Sequence, residues 1–194
     1  MKQLFDYINS YSPNGISEKD FEVIKGYFTP KRLRKRQYFL QEGDICKYYG
    51  FILSGAMRQY TVDDKGTEYI VQLNIENWWV GDRESYTNAT PSKYNIDAWE
   101  DTELLLISRP DVLELIDSCP AFAEVVRIMD DRNSIANLKR LTASISSGAE
   151  KRYREFADSY PELLERFPQH VIASYLGITK DTLSRIKRQM LQKE

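Results

Sequence analysis

The C-terminal stretch QHVIASYLGITKDTLSRIKRQMLQKE, residues 169–194, contains two short amphipathic segments separated by a glycine. Pro168 stands where a helix can start, and apolar residues at helical spacing follow it. Gly177 can adopt the left-handed conformation that ends a helix and turns the chain sharply. Thr179 can then cap a second helix, with Asp181 favourable in its first turn. The stretch therefore predicts two helices joined by a tight turn.

The second predicted helix has one apolar and one polar face, because its residues repeat with the 3.6-residue period. The apolar face holds Leu183, Ile186 and Met190. The opposite face carries charged or hydroxyl side chains: Asp181, Ser184, Arg185 and Arg188. A glycine turn, a packed inner face and a polar outer face are typical of a helix-turn-helix. Such a helix fits the DNA major groove, where lysine and arginine reach guanine edges and a carboxylate accepts from cytosine.

Further polar side chains stand near the starts of the two helices, where hydroxyl, amide and backbone N–H groups can meet phosphates. They are Gln169, His170, Thr179 and Thr182. Two other interpretations stay open at this point. The terminal helix can be an ordinary solvated amphipathic helix, and His170 can be a neutral surface residue.

A denser basic run, KRLRKR at residues 31–36, directly precedes the predicted sheet. Lysine and arginine at the edge of a sheet discourage edge-to-edge pairing. We therefore interpret this run as a solvated strand edge and not as a nucleic-acid patch.

Charge and residue counts exclude several functions. The chain of 194 residues has a net charge of −2, but residues 179–194 alone carry +3, which leaves −5 for residues 1–178. An acidic body with a basic tip suits a protein that touches an anionic polymer through one small surface. One histidine and two cysteines cannot form a multi-histidine metal site, a zinc finger or a four-thiolate cluster. A catalytic triad cannot be built around a lone histidine in the helical tip either. We expect neither a metal nor an enzyme.

The expected compartment is the cytoplasm, with no membrane partner. No apolar run approaches the length of a membrane span, and residues 1–15 lack the apolar core of a signal peptide. Cys46 and Cys119 lie far apart in the sequence and have no neighbouring cysteine. This usage fits a reducing compartment, with both thiols as small core residues.

The middle of the chain predicts a sheet. A helix capped by Ser17 is expected over residues 17–28. From Tyr38 to about Ile107, short strand-like runs are separated by turn signals roughly every ten positions, as in an antiparallel sandwich or barrel. DDKG at residues 63–66 is a good hairpin turn.

After Ser108 the periodicity becomes helical. A short helix is predicted at residues 109–118 and a long one from Pro120 to about Ile145. The long helix carries an apolar stripe: Val125, Ile128, Ile135, Leu138 and Ile145. Such a stripe can pack on its own domain, but at the edge of a small sheet domain it favours pairing with its twin in a dimer. SISSG at residues 144–148 is the predicted hinge, and a last helical region follows at residues 149–165.

The order and spacing of these segments resemble the Crp/Fnr transcription regulators, named for the cyclic-AMP receptor protein. Four segments resemble successive turns of the family's β-roll: EGD at 42–44, GFILSGAMRQY at 50–60, DDKGTEY at 63–69 and WWVGD at 78–82. The helix at 120–145 resembles the family's dimerisation helix, and LGITKDTLSRI at 176–186 resembles its helix-turn-helix. The resemblance spans nearly the whole chain.

The resemblance implies an α+β fold. An N-terminal antiparallel β-roll, a double-stranded β-helix of the cyclic-nucleotide-binding type, is flanked by helices over residues 1–119. A dimerisation helix and hinge follow at residues 120–147, and a helix-turn-helix domain occupies residues 148–194.

The implied function is a homodimer whose recognition helices read half-sites of a near-palindromic promoter element in double-stranded DNA, with RNA polymerase as a candidate partner. On the family pattern Lys180, Asp181 and Arg185 read bases. Four side chains would contact the DNA backbone: Thr179, Thr182, Gln169 and His170.

The effector pocket is where the chain departs from the family. The family's cyclic-nucleotide pocket carries a Gly-Glu pair for the ribose and, after a short helix, an arginine that pairs with the cyclic phosphate. Here Gly81 remains, Asp82 shortens the acid, and Ser92 stands where the arginine belongs. Arg83 is charged where the family usually has an aliphatic residue, and Lys93 should point away from Ser92 on an extended strand. Because a hydroxyl replaces a bidentate guanidinium, we expect no cyclic nucleotide here, and either another small-molecule effector or none.

A second departure lies at the C-terminus. The family usually continues past the recognition helix into a β-hairpin wing, whereas this chain stops at Glu194. Contacts from a wing are therefore not expected, and DNA affinity should depend more on the dimer. The alternative to a DNA-binding regulator is a β-roll regulatory or protein-interaction module that has lost DNA binding.

Overall fold

The computed structural model describes residues 1–191. Its strands are β1 (Thr29–Leu33), β2 (Tyr38–Leu40), β3 (Tyr48–Ser54), β4 (Met57–Val62), β5 (Glu68–Asn74), β6 (Trp79–Val80), β7 (Asn95–Ala98) and β8 (Thr102–Ser108). Its helices are α1 (Lys2–Tyr11), α2 (Glu18–Gly26), α3 (Arg83–Asn88), α4 (Arg109–Ser118), α5 (Pro120–Ser146), α6 (Ala149–Ser159), α7 (Pro161–Arg166), α8 (Gln169–Tyr175) and α9 (Lys180–Leu191). Lys193 and Glu194, two of the charges counted in the basic tip, lie outside the described residues.

The strands form two four-stranded sheets, with the orders β1-β8-β3-β6 and β2-β7-β4-β5. In the first sheet β8 pairs antiparallel with both β1 and β3. The α+β class is thereby confirmed. The sheet begins earlier than Tyr38, because half of the basic run at residues 31–36 belongs to β1. Since β1 is an edge strand with exposed Lys31 and Arg32, its charges lie on a solvated sheet edge.

Two hydrophobic clusters hold the β-roll together. Successive side chains of a strand point to opposite faces, so β8 serves both clusters. Leu105 and Ile107 pack against buried residues of α1, α2, α4 and α5, whereas Leu104 packs between the sheets with Met57 and Ile96. Both cysteines are buried and free, as expected for small core residues.

The apolar stripe of α5 divides into two parts. Val125 is fully buried in the cluster with Leu115 and Phe122. The later residues are exposed by more than half of their side-chain surface: Ile135 (55 %), Leu138 (64 %), Leu141 (56 %) and Ile145 (78 %). Of the two interpretations of the stripe, packing on its own domain therefore holds for the first part of α5, and pairing with a second copy stays a prediction for the exposed part. Leu141, which the sequence pattern did not single out, belongs to the exposed part.

The end of α5 and the region that follows differ in detail from the sequence prediction. The helix continues to Ser146, so the break is confined to Ser147 and Gly148. The single helical region predicted at residues 149–165 is in fact two helices, α6 and α7. They are separated at Tyr160 because Pro161 restricts the residue before it and cannot continue a helix.

By its internal contacts the chain divides into two compact units. The first comprises Met1–Gln59 and Asn74–Asn133, and the second comprises Tyr60–Leu73 together with the chain from Ser134 onwards. The division passes through β4, β5 and α5. The second unit thus contains the tip of the β4–β5 hairpin as well as α6 to α9. None of the helices described here is both long and apolar enough to cross a bilayer.

Candidate nucleic-acid interface and effector pocket

The turn between α8 and α9 is fixed by backbone hydrogen bonds around one glycine. Gly177 has a φ of +64°, in the left-handed region that glycine adopts without strain. Its N–H donates to the Ser174 carbonyl at 3.0 Å, and the Ile178 N–H donates to the Ala173 carbonyl at 3.0 Å. This pair of bonds is a Schellman motif, which ends a helix and satisfies its last carbonyl groups. The predicted tight turn is therefore present.

The start of α9 is capped as the sequence predicts. The Thr182 N–H donates to Thr179 Oγ1 at 3.1 Å, and the two threonine hydroxyls lie 2.9 Å apart. The Thr179 hydroxyl satisfies one of the donors that the first turn of a helix leaves unpaired. Thr179 thus caps α9 in addition to lying exposed at its start.

The inner faces of α8 and α9 are closely packed. Ala173 and Leu183 are each 1 % exposed, and Ile186 is 3 % exposed. The small side chain of Ala173 suits the close approach of two crossing helices. A polar contact also links the helices, since Ser184 Oγ lies 3.4 Å from Gln169 Oε1.

The outer face of the α8–α9 pair carries the side chains that the sequence singled out. Seven of them are exposed: Gln169, His170, Thr179, Lys180, Asp181, Arg185 and Arg188. The other two are half-buried: Thr182 contributes to the cap of α9, and Ser184 faces Gln169. The pair thus presents a polar, mainly cationic surface on a packed apolar base.

In the predicted effector pocket, the side chains of two of the five predicted residues bond to each other. Asp82 is 4 % exposed and caps α3 by accepting from the N–H groups of Glu84 (3.0 Å) and Ser85 (3.4 Å). Ser92, also 4 % exposed, donates its hydroxyl to Asp82 Oδ2 at 2.7 Å. The same hydroxyl accepts from the Tyr94 N–H at 3.0 Å. The Asp82–Ser92 pair is therefore satisfied within the protein.

Aromatic rings fill the space next to this pair. A Cβ atom at Gly81 would lie 2.9 Å from the Tyr49 ring, so glycine is required for this close approach. The Tyr49 and Tyr86 rings meet edge to face with centroids 4.6 Å apart. Burial raises the pKa of both tyrosines far above the usual value, so both remain neutral.

The two cations of the predicted pocket lie at the protein surface. Arg83 Nη2 is 2.6 Å from Asp130 Oδ2, and Lys93 Nζ is 3.7 Å from Glu84 Oε2. The ion pair with Asp130 raises the pKa of Arg83. Lys93 lies in a loop before β7, whereas the sequence predicted an extended strand there. Its side chain nevertheless differs from that of Ser92 in burial, since Lys93 is exposed and Ser92 is buried.

The residues of this pocket offer no guanidinium at the position of Ser92. A cyclic phosphate is held best by a guanidinium fork, whereas the fork position carries a serine whose hydroxyl is bonded to a buried carboxylate.

Two side chains at the α8–α9 pair were not predicted from the sequence: Ser174 belongs to α8, and Arg140 contacts Tyr175 from α5. Arg140 of α5 and Ser174 of α8 both bond to the backbone of β5. No local sequence pattern marks them, because their partners lie 69 and 104 residues away along the chain.

Comparisons with known proteins agree with this architecture. Residues 30–119 match the model of the family described as cyclic nucleotide-binding domain. Among curated protein sequences none matches the chain. Solved structures do match it.

FixK2 from Bradyrhizobium japonicum superposes with a TM-score of 0.71 at 18 % identity, over 86 % of this chain and 85 % of FixK2. The catabolite activator protein of Thermus thermophilus gives a TM-score of 0.55 at 22 % identity, over 92 % and 85 % of the two chains. A CooA mutant from Carboxydothermus hydrogenoformans gives 0.68 at 18 % identity, over 88 % and 79 %. Residues 30–119 are thus similar to the cyclic nucleotide-binding domain family, and the chain has the fold of the Crp/Fnr regulators.

Proposed function

We propose that the protein is a homodimeric transcription regulator of the Crp/Fnr type that binds double-stranded DNA at specific sequences. The observation that carries this proposal is the outer face of α9, which exposes Lys180, Arg185 and Arg188 while Leu183 and Ile186 are buried beneath it. The apolar side of α9 is packed against the domain, and its other side exposes cations. Such a helix can enter a major groove as a rigid element.

Two groups of side chains have different roles in this proposal. Lys180, Asp181 and Arg185 read base edges, with Ser184 and Arg188 beside them on the outer face. Four side chains near the helix starts bind phosphates and fix the register of the protein on the duplex: Gln169, His170, Thr179 and Thr182. The protein acts by binding and not by catalysis.

The second half of α5 supplies the dimer contact. Its exposed stripe is formed by Ile135, Leu138, Leu141 and Ile145. Contiguous exposed apolar residues on a helix mark an interaction surface, and a stripe of spacing three to four suits pairing with an identical helix. A dimer places two copies of α9 on successive half-sites of a near-palindromic operator. The protein would act beside RNA polymerase in the cytoplasm, where both cysteines stay reduced.

The regulator is proposed to work without a cyclic nucleotide, because the Asp82–Ser92 pair replaces the groups that would hold one. We expect cyclic AMP and cyclic GMP at millimolar concentration to shift the midpoint of thermal unfolding by less than about 1 °C, since a ligand that does not bind cannot stabilise the fold. A Ser92→Arg variant should gain a measurable shift. A clear shift in the wild-type protein would contradict the proposal.

The DNA-binding function is tested by selection from a library of random duplexes with the purified protein, followed by a mobility-shift assay. A palindromic consensus is expected. The logarithm of the binding constant should fall linearly with the logarithm of salt concentration, because phosphate contacts release counterions. If no sequence is enriched, the chain is instead a β-roll regulatory module without DNA binding.

A further inference from the structure

The outer edge of β5 is covered by a side chain of α8. β5 is one of the two edge strands of the second sheet. The Ile70 N–H donates to Ser174 Oγ at 2.9 Å, and Ser174 Oγ donates to the Glu68 carbonyl at 3.3 Å. One hydroxyl in the last turn of α8 thus satisfies both a donor and an acceptor of the β5 backbone.

Arg140 of α5 makes a second connection to β5. Its Nη1 donates to the Val71 carbonyl at 2.6 Å, and its Nη2 lies 3.5 Å from the Tyr175 carbonyl. The guanidinium also stacks on the Tyr175 ring, with 4.1 Å between Cζ and the ring centroid. A planar guanidinium can donate in its plane and stack on an aromatic face at the same time, which a lysine cannot do.

We propose that Ser174 and Arg140 form a latch that fixes the α8–α9 pair to the β5 edge, and that both are positioning residues for DNA binding. This inference rests on the proposed DNA-binding function. The latch acts through the turn described above, because the Ser174 carbonyl accepts the Gly177 N–H that orients the start of α9. With the latch closed, Arg185 on α9 is exposed. The latched arrangement therefore leaves Arg185 accessible to DNA.

The latch and the dimer are geometrically compatible. At 100° per residue, Arg140 projects from roughly the opposite side of α5 to Leu138 and Ile145. One face of the helix is then available to a second copy of the chain while the other holds the latch.

Opening the latch should lower DNA affinity without removing any DNA contact. The apparent dissociation constant rises in inverse proportion to the fraction of molecules in the binding-competent arrangement. We expect Ser174→Ala and Arg140→Ala each to weaken binding about five- to tenfold. The slope of binding against salt should stay unchanged, because neither side chain neutralises a phosphate.

The latch itself is measured without DNA, by amide hydrogen exchange on the full chain. The Ile70 N–H should exchange about tenfold faster in Ser174→Ala, since it loses its acceptor. Ser174→Thr keeps the hydroxyl and should restore both slow exchange and affinity. Lys139→Ala is the matched control, because it removes an exposed positive charge beside Arg140 and should change neither readout.

The outcomes separate the latch from the proposed function. Unchanged Ile70 exchange in Ser174→Ala would overturn the latch. Faster exchange with equal or higher DNA affinity would overturn its positioning role. If the proposed DNA-binding function itself is wrong, the wild-type protein will enrich no sequence in the selection from random duplexes. The exchange rate of the Ile70 N–H still decides in that case whether the latch exists.

Discussion

A Leu138→Glu variant is expected to be monomeric and to bind its operator about 10²–10³-fold more weakly than the wild-type protein. Leu138 lies in the middle of the exposed stripe of α5 and is 64 % exposed. In a dimer the two glutamates would lie close together in an apolar seam, where like charges repel and lose their hydration. Without the dimer, binding of the second half-site is no longer intramolecular, and the gain from effective concentration is lost.

Sedimentation velocity and a mobility-shift assay measure the two effects on the same samples. Leu113→Glu is the matched control, because Leu113 is an exposed leucine on α4 and is not part of the stripe. It should stay dimeric with normal affinity. A Leu138→Glu protein that still sediments at twice the chain mass would show that the stripe is not the dimer contact.

The second large effect is expected at the reading helix. Arg185→Ala should weaken binding to the selected operator about 5- to 150-fold, corresponding to the loss of about 1–3 kcal/mol for one bidentate contact with a guanine. Specificity should relax at one position of each half-site, because the remaining contacts do not read that base pair. Arg185→Lys keeps the charge but not the fork, so it should recover affinity only in part.

A repeated random-site selection with Arg185→Ala measures this change of specificity. Arg154→Ala removes the same charge from α6, where Arg154 forms an exposed ion pair with Glu150, and serves as the control. Its selected sequence should match that of the wild-type protein. An identical consensus for Arg185→Ala would exclude Arg185 as a base-reading residue.

Local patterns in the sequence predicted the parts of the fold that depend on local chemistry. The turn at Gly177, the cap at Thr179 and the buried positions of Leu183 and Ile186 each follow from residues within one or two helical turns. The hairpin turn at residues 63–66 is likewise present, with the Gly66 N–H bonded to the Asp63 carbonyl. Such features are readable because short-range hydrogen bonds and periodicity decide them.

Features that depend on contacts between distant segments were not readable. The sequence does not indicate that Val125 is buried on its own domain while Ile135 is exposed, since both occupy the same kind of position on one helix. Nor does it indicate the Arg83–Asp130 ion pair or the contact of Ser174 with β5. These pairs form only because tertiary folding brings the segments together.

The effector pocket differs from both of these cases. The family resemblance predicts that Ser92 stands where the family has an arginine, but it does not indicate what the serine does. The structure adds that Ser92 is bonded to Asp82, so that the altered position completes a hydrogen-bond network. A substitution that removes a ligand contact can thus also contribute to stability within the domain.

The hydroxyl of Ser174 has one more consequence, which concerns solubility. A sheet edge with open N–H and carbonyl groups is a template on which another chain can add a strand. Ser174 occupies two such groups on β5, the Glu68 carbonyl and the Ile70 N–H. A fragment that ends before α6 would leave both groups open and should tend to aggregate through strand addition. We therefore expect α8 also to protect this edge of β5 against aggregation.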